Sequence, residues 1–246
     1  MLCLKNNLNM QFALINDIKT KPAPNLKGVC PICEMNVHSK CGDINIWHWS
    51  HDNLKDCDAW SEGETQWHLD WKAHFGKEYQ EVTIEKDGVV HRADVQNKNG
   101  IIIELQHSPL SNTKILEREK FYGEKLIWVI DGTNFRERFE IWGDEWRKAP
   151  HVTNLFDFDL NQLKGYEGVF HGSIKPNDKF TLKKPSKGLS YNYIWKHSKR
   201  SWREAKNPIF IDFGGDYLFW IKDYIFDINE GRGQLVLKSN FINKYK

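Results

Sequence analysis

The stretch His91–Ser108, HRADVQNKNGIIIELQHS, constrains the fold of this chain more than any other. Two alternating runs flank Asn99-Gly100, a strong short turn signal, so the segment predicts a β-hairpin. Side chains alternate across a strand, which puts Arg92 and Asp94 on one face of the first strand. On the second strand Glu104 and Gln106 share a face, while Ile101, Ile103 and Leu105 form the opposite, core-facing one. A carboxylate inside a run of isoleucines is costly to bury unless it is paired or binds a cation. If the hairpin pairs in register, Asp94 lies near Glu104 and the two carboxylates repel. A hard divalent cation such as Mg²⁺, which takes oxygen ligands from one or two carboxylates, would relieve that repulsion. A solvated face on an exposed hairpin is the competing reading, and the acidic pair alone does not decide between them.

A second constraint lies upstream. Four of the five cysteines, Cys30, Cys33, Cys41 and Cys57, are packed between positions 30 and 57, and the fifth is Cys3. An odd count in this arrangement points to metal or free thiols, not to a disulfide framework. Cys30-Pro31-Ile32-Cys33 forms a knuckle that suits a tetrahedral metal. Cys41, His48, His51 and Cys57 follow, and two of these must complete a Zn²⁺ site. His51 and Cys57 are the preferred pair and His48 is the rival ligand, while Cys41 reads as a small buried hydrophobe. A turn at Cys41-Gly42-Asp43 and a strand over Ile44 to Ser50 complete a zinc-ribbon-like module. A redox dithiol, the main competitor for this motif, belongs at the start of a helix, and no helical run follows here. Four protein ligands leave no open position, so the Zn²⁺ is read as structural.

Residues 1 to about 27 read as short strands packed on this module. Ala59 to Phe75 reads as a helix with Trp67, Trp71 and Phe75 on a core stripe. Glu64, His68 and Lys72 run beside it at the same spacing, and their plain reading is a solvated face. Strands follow at Val82 to Glu85, Val89 to Val95 and Ile101 to Gln106. A helix capped by Ser111 then runs to about Tyr122, and Leu126 to Ile130 is a buried strand. The order α-β-β-β-α-β predicts a mixed sheet flanked by helices. Phe139, Ile141 and Trp142 suggest a further strand, and Asn154 to Leu163 a short strand and helix. Pro208 to Trp220 reads as a strand pair around Gly214-Gly215, and Gln234 to Phe241 as a final strand.

The 246 residues and a net charge of +2 exclude a strongly basic nucleic-acid binder, so any such surface must be local. Lys175 to Lys206 is the local candidate, with ten Lys or Arg against Asp178 and Glu204, interleaved with Trp195 and Trp202. No stretch approaches about 18 consecutive apolar residues and the N-terminus lacks a cleavable leader, so no membrane span and a cytoplasmic location are expected.

Taken together, CPIC at 30–33, WHWSH at 47–51, LKDCD at 54–58, Glu64/His68/Lys72, ADV around Asp94, ELQ at 104–106, SPLS at 108–111 and the helix with Glu117, Arg118 and Tyr122 resemble the CoiA family of competence proteins. That family is a branch of the PD-(D/E)XK nuclease superfamily, and the resemblance covers Cys30 to about Gly132. It implies a restriction-endonuclease-like mixed sheet, preceded by the zinc module and followed by a C-terminal α+β extension. The implied divisions are residues 1–58, 59–150 and 151–246. It further implies a Mg²⁺- or Mn²⁺-dependent deoxyribonuclease acting in DNA uptake, recombination or processing. Asp94, Glu104 and the Leu105 carbonyl would bind the cation, and Glu64 would serve a second cation or bind through water. Gln106 and Lys72 would orient water and offset charge, and His68 would support the site or contact phosphate. DNA is the implied partner, with recombination or competence proteins, and a second copy of the chain, as further candidates. One departure matters: the superfamily commonly places a lysine where this chain has Gln106, and Lys72 is the candidate substitute for its charge. A catalytically inactive DNA-binding or recombination-mediator protein that keeps the nuclease fold is the alternative.

Overall fold

The fold is that of a computed structural model, which describes residues 10–51, 57, 58, 60, 63–143, 190–196, 200–225 and 229–246. It is a mixed α/β chain with two sheets and few helices. Two compact units make it up: Met1–Ile103 together with Lys246, and Glu104–Tyr245.

The first unit opens on a five-stranded antiparallel sheet of β1 (Ala13–Ile15), β2 (Ile18–Thr20), β3 (Lys27–Val29), β4 (Asn36–Lys40) and β5 (His48–His51), in the order β2-β1-β3-β4-β5. Asn16 and Asp17, both with positive φ, turn β1 into β2. β5 is shorter than the strand read from Ile44, because residues 41–47 form the loop that joins it to β4. The core here is small: Met10, Ala13, Cys30, Val37 and Trp49 are buried together. A core of that size supplies little stability without a staple.

Helix α1 (Gln66–Lys72) is shorter than the 59–75 helix the sequence suggests. It starts at Gln66 because Thr65 is its N-cap, and His68 closes a capping box on it. The strands β6 (Gln80–Lys86) and β7 (Val89–Gln96) follow as a hairpin turned by Asp87-Gly88, both with positive φ. β8 (Ile102–Gln106) is next, and Val95↔Ile103 and Gln96↔Ile102 pair it antiparallel with β7. The turn is wider than a two-residue Asn-Gly loop. The Asn97 side chain accepts from the backbone N–H groups of Asn99 and Ile101 and holds a five-residue loop together.

In the second unit the end of β8 leads to helix α2 (Asn112–Tyr122), capped by Ser111 as expected, then to the fully buried β9 (Leu126–Asp131). The remaining strands are β10 (Phe139–Gly143), β11 (Ser190–Trp195), β12 (Ile209–Asp212), β13 (Tyr217–Ile225) and β14 (Glu230–Leu237). They run β10-β11-β14-β13-β12-β9-β8, with β12 parallel to β9 and the pairs β10/β11, β11/β14, β14/β13 and β13/β12 antiparallel. Residues from 190 onward thus share a sheet with β9. Phe139, Tyr193, Phe213 and Phe219 pack ring against ring at its centre. The chain ends in helix α3 (Lys238–Tyr245), where the sequence suggested strand to Phe241. Phe241 is buried against Phe210, so a helical face covers the sheet there. Trp195 and Trp202 are core residues, which removes them as exposed stacking platforms for nucleic acid. The expected strand and helix over 154–163, and the basic residues from 175 to 189, lie outside the described residues.

Candidate metal centre and acidic cluster

Two side-chain clusters stand out, and the first unit holds both. In the first cluster the ligand atoms of Cys30, Cys33, His51 and Cys57 all lie within 4.8 Å of one another. The knuckle is shaped by a backbone turn: Glu34 N–H donates to the Cys30 carbonyl, Glu34 takes a positive φ, and Ile32 N–H points at Cys30 Sγ. β5 then delivers His51 from the opposite edge of the same hairpin, because His51 pairs with Val37. Cys30 Sγ and Cys57 Sγ are 3.7 Å apart. Two sulfurs of a tetrahedral site with Zn–S of about 2.3 Å stand about 3.8 Å apart, so the spacing suits zinc. Cys33 Sγ is 3.2 Å from His51 Nε2. The Cys57 thiol beside Cys30 holds the Cys30 thiol far below its usual value, to about 4. Burial pushes the Cys33 thiol up, and the hydrogen bond to Cys30 pushes the Cys57 thiol up, so Cys30 is the thiolate of the set. These four residues could hold a metal such as zinc. The rival His48 is not among the converging ligands, and its Nδ1 lies 2.8 Å from the Ile46 carbonyl. Cys41 also lies apart from it.

The second cluster forms around Lys72 at the end of α1. The Glu64/His68/Lys72 stripe is not a solvated face: His68 is 6 % exposed and Lys72 1 %. Glu64 precedes the helix and folds back onto it. Lys72 Nζ is 2.6 Å from Glu64 Oε2 and 3.0 Å from Glu81 Oε1. Burial presses the Lys72 ammonium toward neutrality, but Glu81, Glu64 and Asp94 outweigh it and raise its pKa. Burial pushes Glu64 up to about 7, against the opposing pull of Lys72 and with help from Glu81 and Asp94. Glu81 is buried too, yet Lys72, Arg92 and the Gln11 backbone N–H hold it down to about 2. Three carboxylates thus share one buried ammonium. His68 serves its own helix here: Nδ1 accepts from Thr65 N–H at 3.3 Å.

Glu81 escaped the sequence reading. Its signal is weak, a single Gln-Glu pair where β6 begins, and only the register shows its significance. Gln80↔Val95 and Val82↔Ala93 bracket it, so Glu81 sits across from Asp94. Asp58, next to the ligand Cys57, ties that segment to β7 by accepting from Arg92 N–H and pairing with His91 at 2.8 Å. Trp60 stacks flat on the His91 ring at 3.2 Å.

In the second unit Glu104 pairs with Arg118 of α2 at 2.9 Å, and both side chains are about nine-tenths buried. Arg118 also reaches Gln106 Oε1 at 3.5 Å, and Gln106 donates to the Ser108 carbonyl. Leu105 is buried on the opposite side of the strand.

Residues 20–59 match the family model of the competence protein CoiA N-terminal domain, a span that contains all four ligand positions. No curated protein and no solved structure matches the chain. The likeness to the CoiA family is carried by this N-terminal segment.

Proposed function

We propose that this chain is a Mg²⁺- or Mn²⁺-dependent deoxyribonuclease of the CoiA-like type, with a restriction-endonuclease-like core, acting in DNA uptake, recombination or processing. The observation that supports the reading best is the gathering of Glu64, Glu81 and Asp94 around one buried lysine. Concentrating acids in a protein interior is costly, and function is a common reason for it. In this reading Asp94, Glu104 and the Leu105 carbonyl hold the cation, and Glu64 serves a second cation or binds through water. The cation would lower the pKa of its bound water and offset charge on the attacked phosphorus. Gln106 orients the water, Lys72 offsets charge on the acids, and His68 keeps the start of α1 in place. The same reading carries a cytoplasmic location, DNA as the partner, and competence or recombination proteins or a second copy of the chain as further ones.

A second reading rests on its own observation. Lys72 is already paired with two carboxylates and Glu104 with Arg118, while the lysine place of the motif is Gln106. A protein so compensated could retain the fold and bind DNA without cutting it. The deciding assay offers linear, circular and single-stranded DNA with Mg²⁺ or Mn²⁺ to the zinc-loaded protein and to Asp94→Ala/Glu104→Ala. Metal-dependent cutting that the double variant loses supports the nuclease. Salt-sensitive DNA retention without cutting supports the binding protein.

A further inference from the structure

Glu81 is an unusual residue to find where it is. It takes a positive φ of 45°, a conformation that side-chain-bearing residues rarely adopt, and it is 4 % exposed. Its carboxylate is satisfied from two sides. Gln11 N–H reaches its two oxygens at 3.0 and 3.1 Å, and Phe12 N–H reaches Oε2 at 3.2 Å. On the other side Lys72 Nζ sits 3.0 Å from Oε1. Lys19 of β2 lies over the same turn, donating to the carbonyls of Gln80 and Glu81. One carboxylate thus joins the backbone just ahead of β1 to the ammonium at the end of α1.

The segment it grips is itself built into the cysteine module. Met10, one residue before Gln11, exchanges backbone hydrogen bonds with Trp49, two residues before the ligand His51. The Met10 sulfur lies 3.7 Å from Cys30 Sγ. Gln11 and Phe12 therefore stand on a backbone that the ligand-bearing strands hold, and Glu81 reads its position.

We propose that Glu81 is a positioning residue: by bridging the Gln11 and Phe12 amides to Lys72 it fixes the lysine against Glu64 and ties its place to the N-terminal module. A neutral residue of the same shape cannot do this. An amide offers one acceptor, and its NH₂ would face the donors that the second carboxylate oxygen now accepts from. Lys72, held from one side only, would lose its fixed place between Glu64 and Glu81. The bearing of the clamp on catalysis rests on the nuclease reading; the clamp itself does not.

The test uses the full, zinc-loaded chain. Amine-reactive labelling followed by mass spectrometry compares Lys72 with the exposed Lys98. Amide hydrogen exchange follows Gln11 and Phe12. In wild type Lys72 should resist labelling and both amides should be protected. In Glu81→Gln, Lys72 labelling and exchange at the two amides should each rise by about tenfold or more, the scale of a lost charge-assisted hydrogen bond. Lys98 labelling should stay as it was. Unchanged Lys72 labelling and unchanged amide protection in folded Glu81→Gln would overturn the proposal. Where Glu81→Gln fails to fold, Glu64→Gln/Lys72→Met/Glu81→Gln carries the test, because Lys72 also pairs with Glu64 and removing every charge of the buried cluster costs far less than stranding one. Recovery of folding by the triple variant supports the clamp, and a triple variant no better than the single one overturns it. If wild type cuts DNA, Glu81→Gln should lower kcat with KM nearly unchanged, whereas an unchanged kcat would confine Glu81 to the fold and overturn its positioning role. If wild type does not cut, the nuclease reading fails while labelling and exchange still decide the clamp.

Discussion

Cys30, Cys33, His51 and Cys57 converge on one another, whereas Glu64, Glu81 and Asp94 converge on an ammonium group that the chain itself supplies. Both clusters lie in the first unit and both concentrate ligand atoms, but they stand differently toward a metal. In the cysteine module the core is small and four ligand atoms converge, so a metal held there would be the natural staple. Around Lys72 the repulsion is already offset by protein charges, so a divalent cation has to compete with a buried ion pair. The comparison teaches that acidic residues gathered in a sequence do not by themselves define an open cation site. What matters is which counter-charge the fold brings to them.

The largest effect expected from this contrast is on the module. Removing its metal with a chelator, or replacing Cys30 with serine, should unfold residues 10–51, because the binding free energy of a structural site is folding free energy. Metal analysis and far-ultraviolet circular dichroism check this, and an unchanged spectrum in a metal-free protein would remove the distinction drawn here. Next in size is Lys72→Met, which strands Glu64 and Glu81 without their cation and should cost about 3–5 kcal/mol in a denaturant titration. A loss of well under about 1 kcal/mol would mean the acids need no internal counter-charge.

A pH experiment sharpens the same point. Burial raises Glu64 from 4.5 to about 7, so the folded state binds a proton there that the unfolded state has lost. The Glu64 contribution to stability is therefore present below about pH 4.5 and is lost as pH rises toward about 7. Its size is at most about 3.5 kcal/mol, at about 1.4 per unit. Glu64→Gln should flatten that decline when measured on zinc-loaded protein in buffer free of Mg²⁺ and Mn²⁺, and a wild-type curve already flat over the interval would refute the assignment. The smallest effect concerns ligand choice. His48→Ala should leave the metal content of the protein at its wild-type level, whereas His51→Ala should lower it. Equal losses in both variants would return His48 to the ligand set.

Local chemistry made much of the chain legible in advance. The Cys-x-x-Cys knuckle, the Asp87-Gly88 turn, the Ser111 cap and the alternation along β7 each depend on residues within a few positions of one another. The same logic placed β9, whose run of apolar residues is short and bounded. It misjudged the start of α1, since Trp67 and Trp71 announce a helix but only Thr65 and its capping bond to His68 say where it begins. It misjudged the chain end as well, where the helical face of Phe241 was written as strand.

By itself the sequence determined which atoms can ligate and which strands alternate, because ligand type and side-chain direction are properties of a residue and its near neighbours. Only the tertiary structure decided that His51 and not His48 meets the thiols, that the Glu64/His68/Lys72 stripe is buried, and that Glu81 joins it. Each of those depends on strand register and on contacts between residues far apart in the chain, such as the 70 positions between Gln11 and Glu81. Charge compensation is settled by where the counter-charge arrives in space, and no local pattern records that.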